Sequence, residues 1–357
     1  MSRSPILFRC DGTAEAGWEP FYQCMTLAQA MQRRRRGTYL HSQLDPANLA
    51  VTIHRGGHEW LPAEHPVGTI DDLDETIRQA RKIGAAAVVV VAPHVSVEYL
   101  RELTASGLLV VAVDNEGKLD FPNRLVVNPF LSAYPEDYKH ARGTQLLVGA
   151  RYALIRGLIR RIRPLRSQEP PAPFRGMVAM GDNDLDGHSV KLAKELLDNP
   201  KVDKVAVAVR PHYPHIEELR QVAADEPGRL EVVSENNEVT TRLGRSHFAL
   251  TSGDSWAVEM ACLGMPQLIL TMEPRYAGNA KRLEEEGAAT VLGPVNKVTA
   301  GALRTAVQEL LVDQTERRGM SRCGRQLIDG RGTDRFVTAV EVLLHVAARG
   351  ATERLAA

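Results

Sequence analysis

The 357-residue sequence predicts an α/β protein made of two doubly wound, Rossmann-like domains with parallel sheets. Three observations lead there. Short apolar runs alternate with segments of helical periodicity through both halves of the chain, and several runs are apolar throughout, as strands covered on both faces require. One proline-rich stretch without periodicity, PLRSQEPPAPFR at 164–175, parts the halves. The expected organisation is an N-terminal domain over 1–163, a linker over 164–175, a second domain over 176–334 and a closing helix over 335–357.

Taken in order, Ile6 to Cys10 reads as a short buried strand and Asp11 to Trp18 as a small-residue loop. Phe21, Cys24, Met25, Leu27, Ala28 and Met31 recur at helical spacing, giving a helix from Pro20 to about Arg35. Proline suits its first turn, and the Arg33–Arg36 cluster suits its last turn beside the negative dipole end. Strands are expected at Thr38 to Ser42 and Val51 to His54. In the loop that follows, His54, His58 and His65 are interrupted by Gly56-Gly57, which argues against a metal site. A helix over Asp71–Ile83, a buried strand over Ala85–Ala92, a helix over Val95–Ser106, a strand over Leu108–Val113 and a weak one over Leu125–Val127 complete the first half. Gly143 to Arg163 is basic and partly helical.

Beyond the proline-rich stretch the alternation restarts. Strands are expected at Met177–Met180, Val205–Val209, Leu230–Val233, Gln267–Leu270 and Thr290–Leu292, and helices at His188–Leu197, His215–Ala224, Val239–Leu243, Gly278–Glu286, Thr299–Leu311 and Arg335–Ala348. Within this half, His247 to Pro266 carries the most punctuated signal of the chain. The apolar Phe248-Ala249-Leu250 enters a Ser252-Gly253-Asp254-Ser255 turn, a helix with Glu259 follows, and Gly264 and Pro266 stop it. This is a βαβ step with an elbow of small residues at the carboxyl end of its strand. Ligands of open parallel sheets bind at that edge, and a helix N-terminus offers N–H groups to a phosphate.

Composition narrows the function. Apolar residues at 44% and charged residues at 25% are ordinary for a globular protein. Lysine plus arginine (44) balance aspartate plus glutamate (44), so the chain as a whole is not built as a nucleic-acid or acidic-membrane binder. The four cysteines, Cys10, Cys24, Cys262 and Cys323, include no CxxC pair, which points away from zinc and disulfides and toward a reducing cytoplasm. No apolar run reaches membrane-spanning length, and no secretory leader is expected before Ile6-Leu7-Phe8. No G-x-G-x-x-G follows either opening strand, which disfavours a nicotinamide-dependent oxidoreductase.

Several segments resemble the UDP-sugar hydrolases of pseudaminic acid biosynthesis and the related glycosyltransferase-like family of spore-coat polysaccharide biosynthesis. They are Phe8-Arg9-Cys10-Asp11-Gly12 with Gly17 and Cys24 to Ala28; Gly149 to Arg156; Ser252-Gly253, Ser255, Glu259 and Gly264-Met265-Pro266; and Ile328 to Gly332 with Arg335. The resemblance spans nearly the whole chain and implies the GT-B architecture, two such domains facing across a cleft. It implies a UDP-sugar as substrate; no separate cofactor is expected, and no metal is expected from the cysteine and histidine spacing. Ser252, Gly253 and Ser255 would cradle the diphosphate and Glu259 would accept the ribose hydroxyls. The expected activity is cleavage of the sugar–phosphate bond, with transfer to an acceptor or to water. A non-catalytic nucleotide-sugar binder or complex subunit is the competing expectation.

The sequence departs from that family at four places. Where its hydrolases carry a Gly-X-Gly-His run, this chain reads Gly17-Trp18-Glu19-Pro20, and proline does no acid or base work. Asp11, Glu19 and His94 are the candidate replacements. An acidic pair is reduced to Asp114-Asn115. The second glycine of the elbow is Asp254 and the next threonine is Trp256, so a carboxylate either stands beside the diphosphate or caps its own helix. Arg275 either restores the positive charge that Asp254 removes or pairs with it.

Overall fold

The computed structural model describes residues 3–92, 95–234 and 236–356. It divides into two compact units, Met1–Leu154 with Arg331–Ala357, and Ile155–Gly330. The units part between Leu154 and Ile155, so residues 164–175 lie inside the second unit, and the closing helix belongs to the first.

In the first unit, chain order is β1 (Arg3–Arg9), α1 (Glu19–Gln32), β2 (Arg36–Ser42), α2 (Leu49–Arg55), β3 (Glu59–Pro62), α3 (Ile70–Ile83), β4 (Ala87–Val91), α4 (Val97–Ala105), β5 (Leu109–Val113), β6 (Asp120–Phe121), β7 (Leu125–Asn128), β8 (Lys139–His140) and β9 (Gln145–Val148). Seven of these strands form one parallel sheet in the order β3-β2-β1-β4-β5-β7-β9; β6 and β8 pair separately. Strand alternation covers both faces. Phe8, Val89 and Val111 share a core with Phe21 and Leu27 of α1, while Leu7, Val88 and Val110 share one with Leu73 of α3 and Leu100 and Leu103 of α4.

Two local expectations are corrected here. Val51 to His54 is not a strand but part of α2, because Leu49, Ala50 and Ile53 are the buried positions while Val51 and His54 face outward, a helical spacing. The sheet edge is taken instead by β3. The arginine cluster does not close α1, which ends at Gln32: Arg35 adopts φ 60° and Arg36 opens β2, where its Nε lies 2.7 Å from Glu341.

The second unit runs α5 (Gly157–Ile162), β10 (Phe174–Ala179), α6 (His188–Leu197), β11 (Val202–Ala208), α7 (Ile216–Asp225), β12 (Leu230–Val233), α8 (Asn236–Arg245), β13 (Phe248–Thr251), α9 (Ser255–Leu263), β14 (Gln267–Thr271), α10 (Ala277–Glu285), β15 (Thr290–Pro294), α11 (Ala300–Val312) and α12 (Gln314–Leu327). Its parallel sheet has the order β12-β11-β10-β13-β14-β15. The winding reverses between β10 and β13. That topological switch point opens a crevice at the carboxyl ends of these two strands.

The sequence reading did not foresee α12. Its apolar stripe is thin, and its core position Gly324 is chosen by close approach: a Cβ there would sit 2.8 Å from the Ala261 carbonyl oxygen of α9. The last helix, α13 (Gly332–Ala356), returns to the first unit and places Phe336, Val337 and Val340 in the core beside α1.

Candidate functional site at the switch point of the second sheet

Four fully buried residues, Phe248 to Thr251, bring β13 to the switch point, and Thr251 is anchored by its hydroxyl to Gln267 of β14 at 2.9 Å. The chain then turns through Ser252-Gly253-Asp254 into α9. Gly253 has φ 88°, and a Cβ on it would meet Ala280 at 3.2 Å and the Tyr276 carbonyl at 3.3 Å, so glycine is required twice over. Asp254 is the N-cap of α9 and accepts the Trp256 backbone N–H at 2.9 Å. Of the two roles open to it, it performs the cap, and it takes an N–H that a phosphate would otherwise use.

Across the switch point, β10 ends in Met180-Gly181. Gly181 has φ 101°, and a Cβ there would lie 2.1 Å from Asp254 Oδ2 and 3.3 Å from Ser252 Oγ. The two strand ends therefore approach closely around one small space. Ser252 is 1% exposed, and its Oγ makes no hydrogen bond among the described residues. A buried hydroxyl without a partner is uncommon in a folded protein; Ser42 Oγ and Thr333 Oγ1 are in the same state, and Ser252 differs from them in lying at the switch point between two positive-φ glycines.

Charges surround this point in pairs. Asp182 follows Gly181 and meets Arg210 at 2.6 Å, and it also accepts the Trp256 indole N–H at 3.3 Å. Burial alone would raise its carboxyl, but Arg210, the indole and Arg156 outweigh that and hold it below the usual carboxylate range. The guanidinium carbons of Arg156 and Arg210 stand 4.4 and 5.2 Å from the Trp256 ring centroid. His212, two residues beyond Arg210, is pushed down to about 4 by burial, with Asp182 opposing and Arg210 assisting. It is neutral at pH 7.

No protein-family profile matches the chain. A stretch of 127 residues is 27% identical to the spore coat polysaccharide biosynthesis protein SpsG of Bacillus subtilis, covering 36% of this chain and 37% of that relative. Solved structures align far more broadly. MurG of Acinetobacter baumannii superposes with a TM-score of 0.64 at 13% identity, over 94% of this chain and 99% of its own. A spinosyn rhamnosyltransferase, SpnG, crystallised with thymidine diphosphate, gives 0.63 at 18% identity over 95% and 99%, and the calicheamicin glycosyltransferase gives 0.62 at 16% over 96% and 99%. The chain has the GT-B glycosyltransferase fold.

In this GT-B chain the expected site residues fall into distinct settings. Ser252 and Gly253 form the elbow, and Ser255, half-buried, opens α9 beside it. Glu259 lies one turn further and is 3% exposed. Its Oε1 accepts the Arg156 backbone N–H at 3.1 Å and Nε at 2.9 Å, and its Oε2 accepts Nε at 3.0 Å and Nη2 at 2.5 Å. Both oxygens are thus committed to Arg156, which Glu259 holds against Trp256. Arg275 pairs with Glu273 at 2.9 Å and lies over the Tyr276 ring.

The three candidates from the first unit are not alike. Asp11 is 4% exposed; it receives Arg9 Nη1 at 2.5 Å, the Gln43 N–H at 2.9 Å and the Val67 N–H at 2.8 Å, so its acceptors are used in holding β1 to the loops beside it. Glu19 is buried as the first residue of α1, a place that favours an acid through the helix dipole. His94 lies outside the described residues. Among the described residues no group of three or more His, Cys, Asp or Glu is placed to hold a metal ion.

Sequence reasoning missed Gly181, Asp182, Arg210 and Arg156. Gly181 could have been found as a glycine directly after an apolar strand, and Arg156 closes a segment already singled out, Gly149 to Arg156. Nothing in sequence order ties Asp182 to Arg210 or Arg156 to Glu259.

Proposed function

We propose that the chain is a nucleotide-sugar-dependent glycosyltransferase-like enzyme of polysaccharide or glycoside biosynthesis, with its donor nucleotide bound at the switch point of the second sheet. The observation that carries this reading is the elbow: a buried, unpartnered Ser252 hydroxyl between two glycines, at the edge where open parallel sheets bind ligands. The GT-B fold and the partial likeness to SpsG supply the chemical class. In this reading Ser252 Oγ and the first turn of α9 donate to a phosphate, and Arg156 and Arg210 provide compensating charge. Glu259 is a positioning residue acting through Arg156. Electrostatic stabilisation of the leaving diphosphate is the largest contribution such a site makes to cleaving a sugar–phosphate bond.

Calorimetry with UDP and with dTDP, followed by an assay of nucleotide release from a panel of nucleotide sugars, tests the proposal. Micromolar binding of one diphosphate and release from its sugar conjugate are expected. Failure of every nucleoside diphosphate to bind overturns it. A second reading, a nucleotide-sugar binder without catalysis, is favoured by one observation: Asp11 and Glu259, two carboxylates of the expected site, are already committed to arginines. Binding without release in the presence of candidate acceptors selects it.

A further inference from the structure

The opposite, amino-terminal edge of the second sheet carries a different feature. A cavity of about 1020 Å³ opens there, against His247 before β13 and Gly264 and Pro266 before β14. Six arginines line it, Arg163, Arg166, Arg317, Arg318, Arg322 and Arg325, against one acid, Glu169, which is taken up by Arg317 at 2.5 Å. In a chain whose charges balance at 44 and 44, this is a strong local excess.

The buried Arg166 and the half-buried Arg163 and Arg325 are held by carbonyls. Arg163 Nη2 donates to the Arg325 carbonyl at 2.8 Å, and Arg325 Nη1 returns to the Arg163 carbonyl at 2.9 Å. Arg166, which lines the cavity, is 4% exposed; its Nη1 donates to the Leu243 and Ser246 carbonyls at 2.9 and 2.5 Å, while its buried Nε has no hydrogen-bond partner among the described residues. Burial first, and then neighbouring Arg325, push the Arg166 guanidinium down to about 10, with Glu169 opposing. Burial and Arg163 lower Arg325 as well. The fold therefore gathers six cations around a single acid, an excess of like charge that a bound anion would relieve. Arg318 and Arg322, one turn apart on α12, are exposed at the rim.

We propose that this cavity binds a phosphate-bearing anion with several charges, at a site separate from the elbow. Guanidinium forks match phosphate oxygens in pairs, and the volume accommodates more than a single phosphate. Such an anion has two sources, a soluble oligophosphate or the phosphate head group of a lipid; Leu165, 75% exposed between Arg163 and Arg166, gives the second a point of contact.

The test uses the full chain with sodium tripolyphosphate in calorimetry and with phosphatidylglycerol or phosphatidylcholine vesicles in co-sedimentation. Tripolyphosphate is expected to bind with an affinity that falls as salt rises. The exposed pair Arg318→Ala with Arg322→Ala weakens it roughly tenfold or more, since each charge-assisted contact is worth about that factor. The binding that this double variant removes is retained in Ser252→Ala, which separates this site from the elbow. Pelleting with phosphatidylglycerol but not phosphatidylcholine vesicles, lost in the double variant, identifies a lipid head group; tripolyphosphate binding without pelleting identifies a soluble ligand. Absence of both, or less than a twofold change in a double variant whose thermal unfolding matches the parent, overturns the proposal.

Discussion

The switch points of the two sheets occupy equivalent places in the winding, between β1 and β4 in the first unit and between β10 and β13 in the second, yet their polar groups are organised differently. At the end of β1, Arg9 is fully buried and donates to Asp11, Asp72 and the carbonyls of Cys10, His41 and His65. Asp72 in turn accepts from Gly68, Thr76 and Tyr99. Burial opposes the charge on Arg9, but Asp11 and Asp72 overcome that and hold the guanidinium more firmly protonated than usual. At the end of β13, by contrast, the ion pairs Asp182–Arg210 and Glu259–Arg156 surround a serine hydroxyl that none of them reaches. The Arg9 network satisfies its own charges and braces loops, with the buried His41 Nε2 and Ser42 Oγ beside it lacking hydrogen-bond partners among the described residues; at the second edge the hydroxyl without a partner lies in the elbow itself.

The largest effect should come from opening the closed network. Asp72→Ala leaves Arg9 buried with half its counter-charge and Tyr99 without its acceptor, and should cost about 3–5 kcal/mol of stability. Urea unfolding of the variant measures it. A loss below about 1 kcal/mol would show that the network is solvated and that the contrast between the two edges is false.

Next comes Gly181→Ala, which strains a φ of 101° and drives a Cβ into Asp254 Oδ2, displacing the cap of α9. The expected cost is about 1–3 kcal/mol, with nucleotide affinity lost in step because the elbow moves. Thermal unfolding and calorimetry on the same sample test whether the two losses coincide.

The pH response sharpens the comparison further. His212 titrates near 4 in the folded chain against a usual value of about 6.5 when unfolded, so between these values the unfolded state binds the extra proton. Stability therefore rises with pH through that window, by up to about 1.4 kcal/mol per pH unit from this group, and is unaffected by it above pH 7. His41 in the first unit is lowered by burial and by Arg9 and acts in the same direction. His212→Asn should remove one proton from the slope of stability against pH between 4 and 6.5 while leaving the contribution of His41. An unchanged slope would mean that His212 is solvated and that Asp182 and Arg210 do not enclose it.

Much of the fold was legible because strands covered on both faces write continuous apolar runs: Ala87–Val91 and Leu109–Val113 needed only hydropathy. The elbow was legible because glycine and serine after a strand are demanded by backbone geometry, which is local. What failed was non-local or ambiguous. The run Val51-Thr52-Ile53 favours a strand by side-chain type, and burial of one face turned it into a helix. α12 was hidden because arginines fill much of its surface and its tightest contact is made by a glycine. The resemblance implies a ribose-binding role for Glu259; its contact with Arg156, 103 residues away in sequence, is one that no spacing rule reaches.

The smallest change is the most discriminating. Ser252→Ala removes one oxygen that is buried, 1% exposed, and without a hydrogen bond among the described residues. Deleting an unsatisfied buried hydroxyl releases its desolvation penalty, so stability should stay within about 0.5 kcal/mol of the parent or rise slightly. Glycine geometry on either side is untouched, and Asp254 still caps α9. If the hydroxyl donates to a diphosphate oxygen, losing that charge-assisted bond costs about 1.5–3 kcal/mol of binding, roughly a tenfold to hundredfold weaker Kd for the nucleotide by calorimetry. The same deletion made at Thr76, whose hydroxyl already donates to Asp72 at 3.2 Å, should do the reverse: it lowers stability and leaves nucleotide affinity alone. A Ser252 variant that loses stability without losing affinity would place the elbow in the same class as the Arg9 network, as a brace and not a binding site.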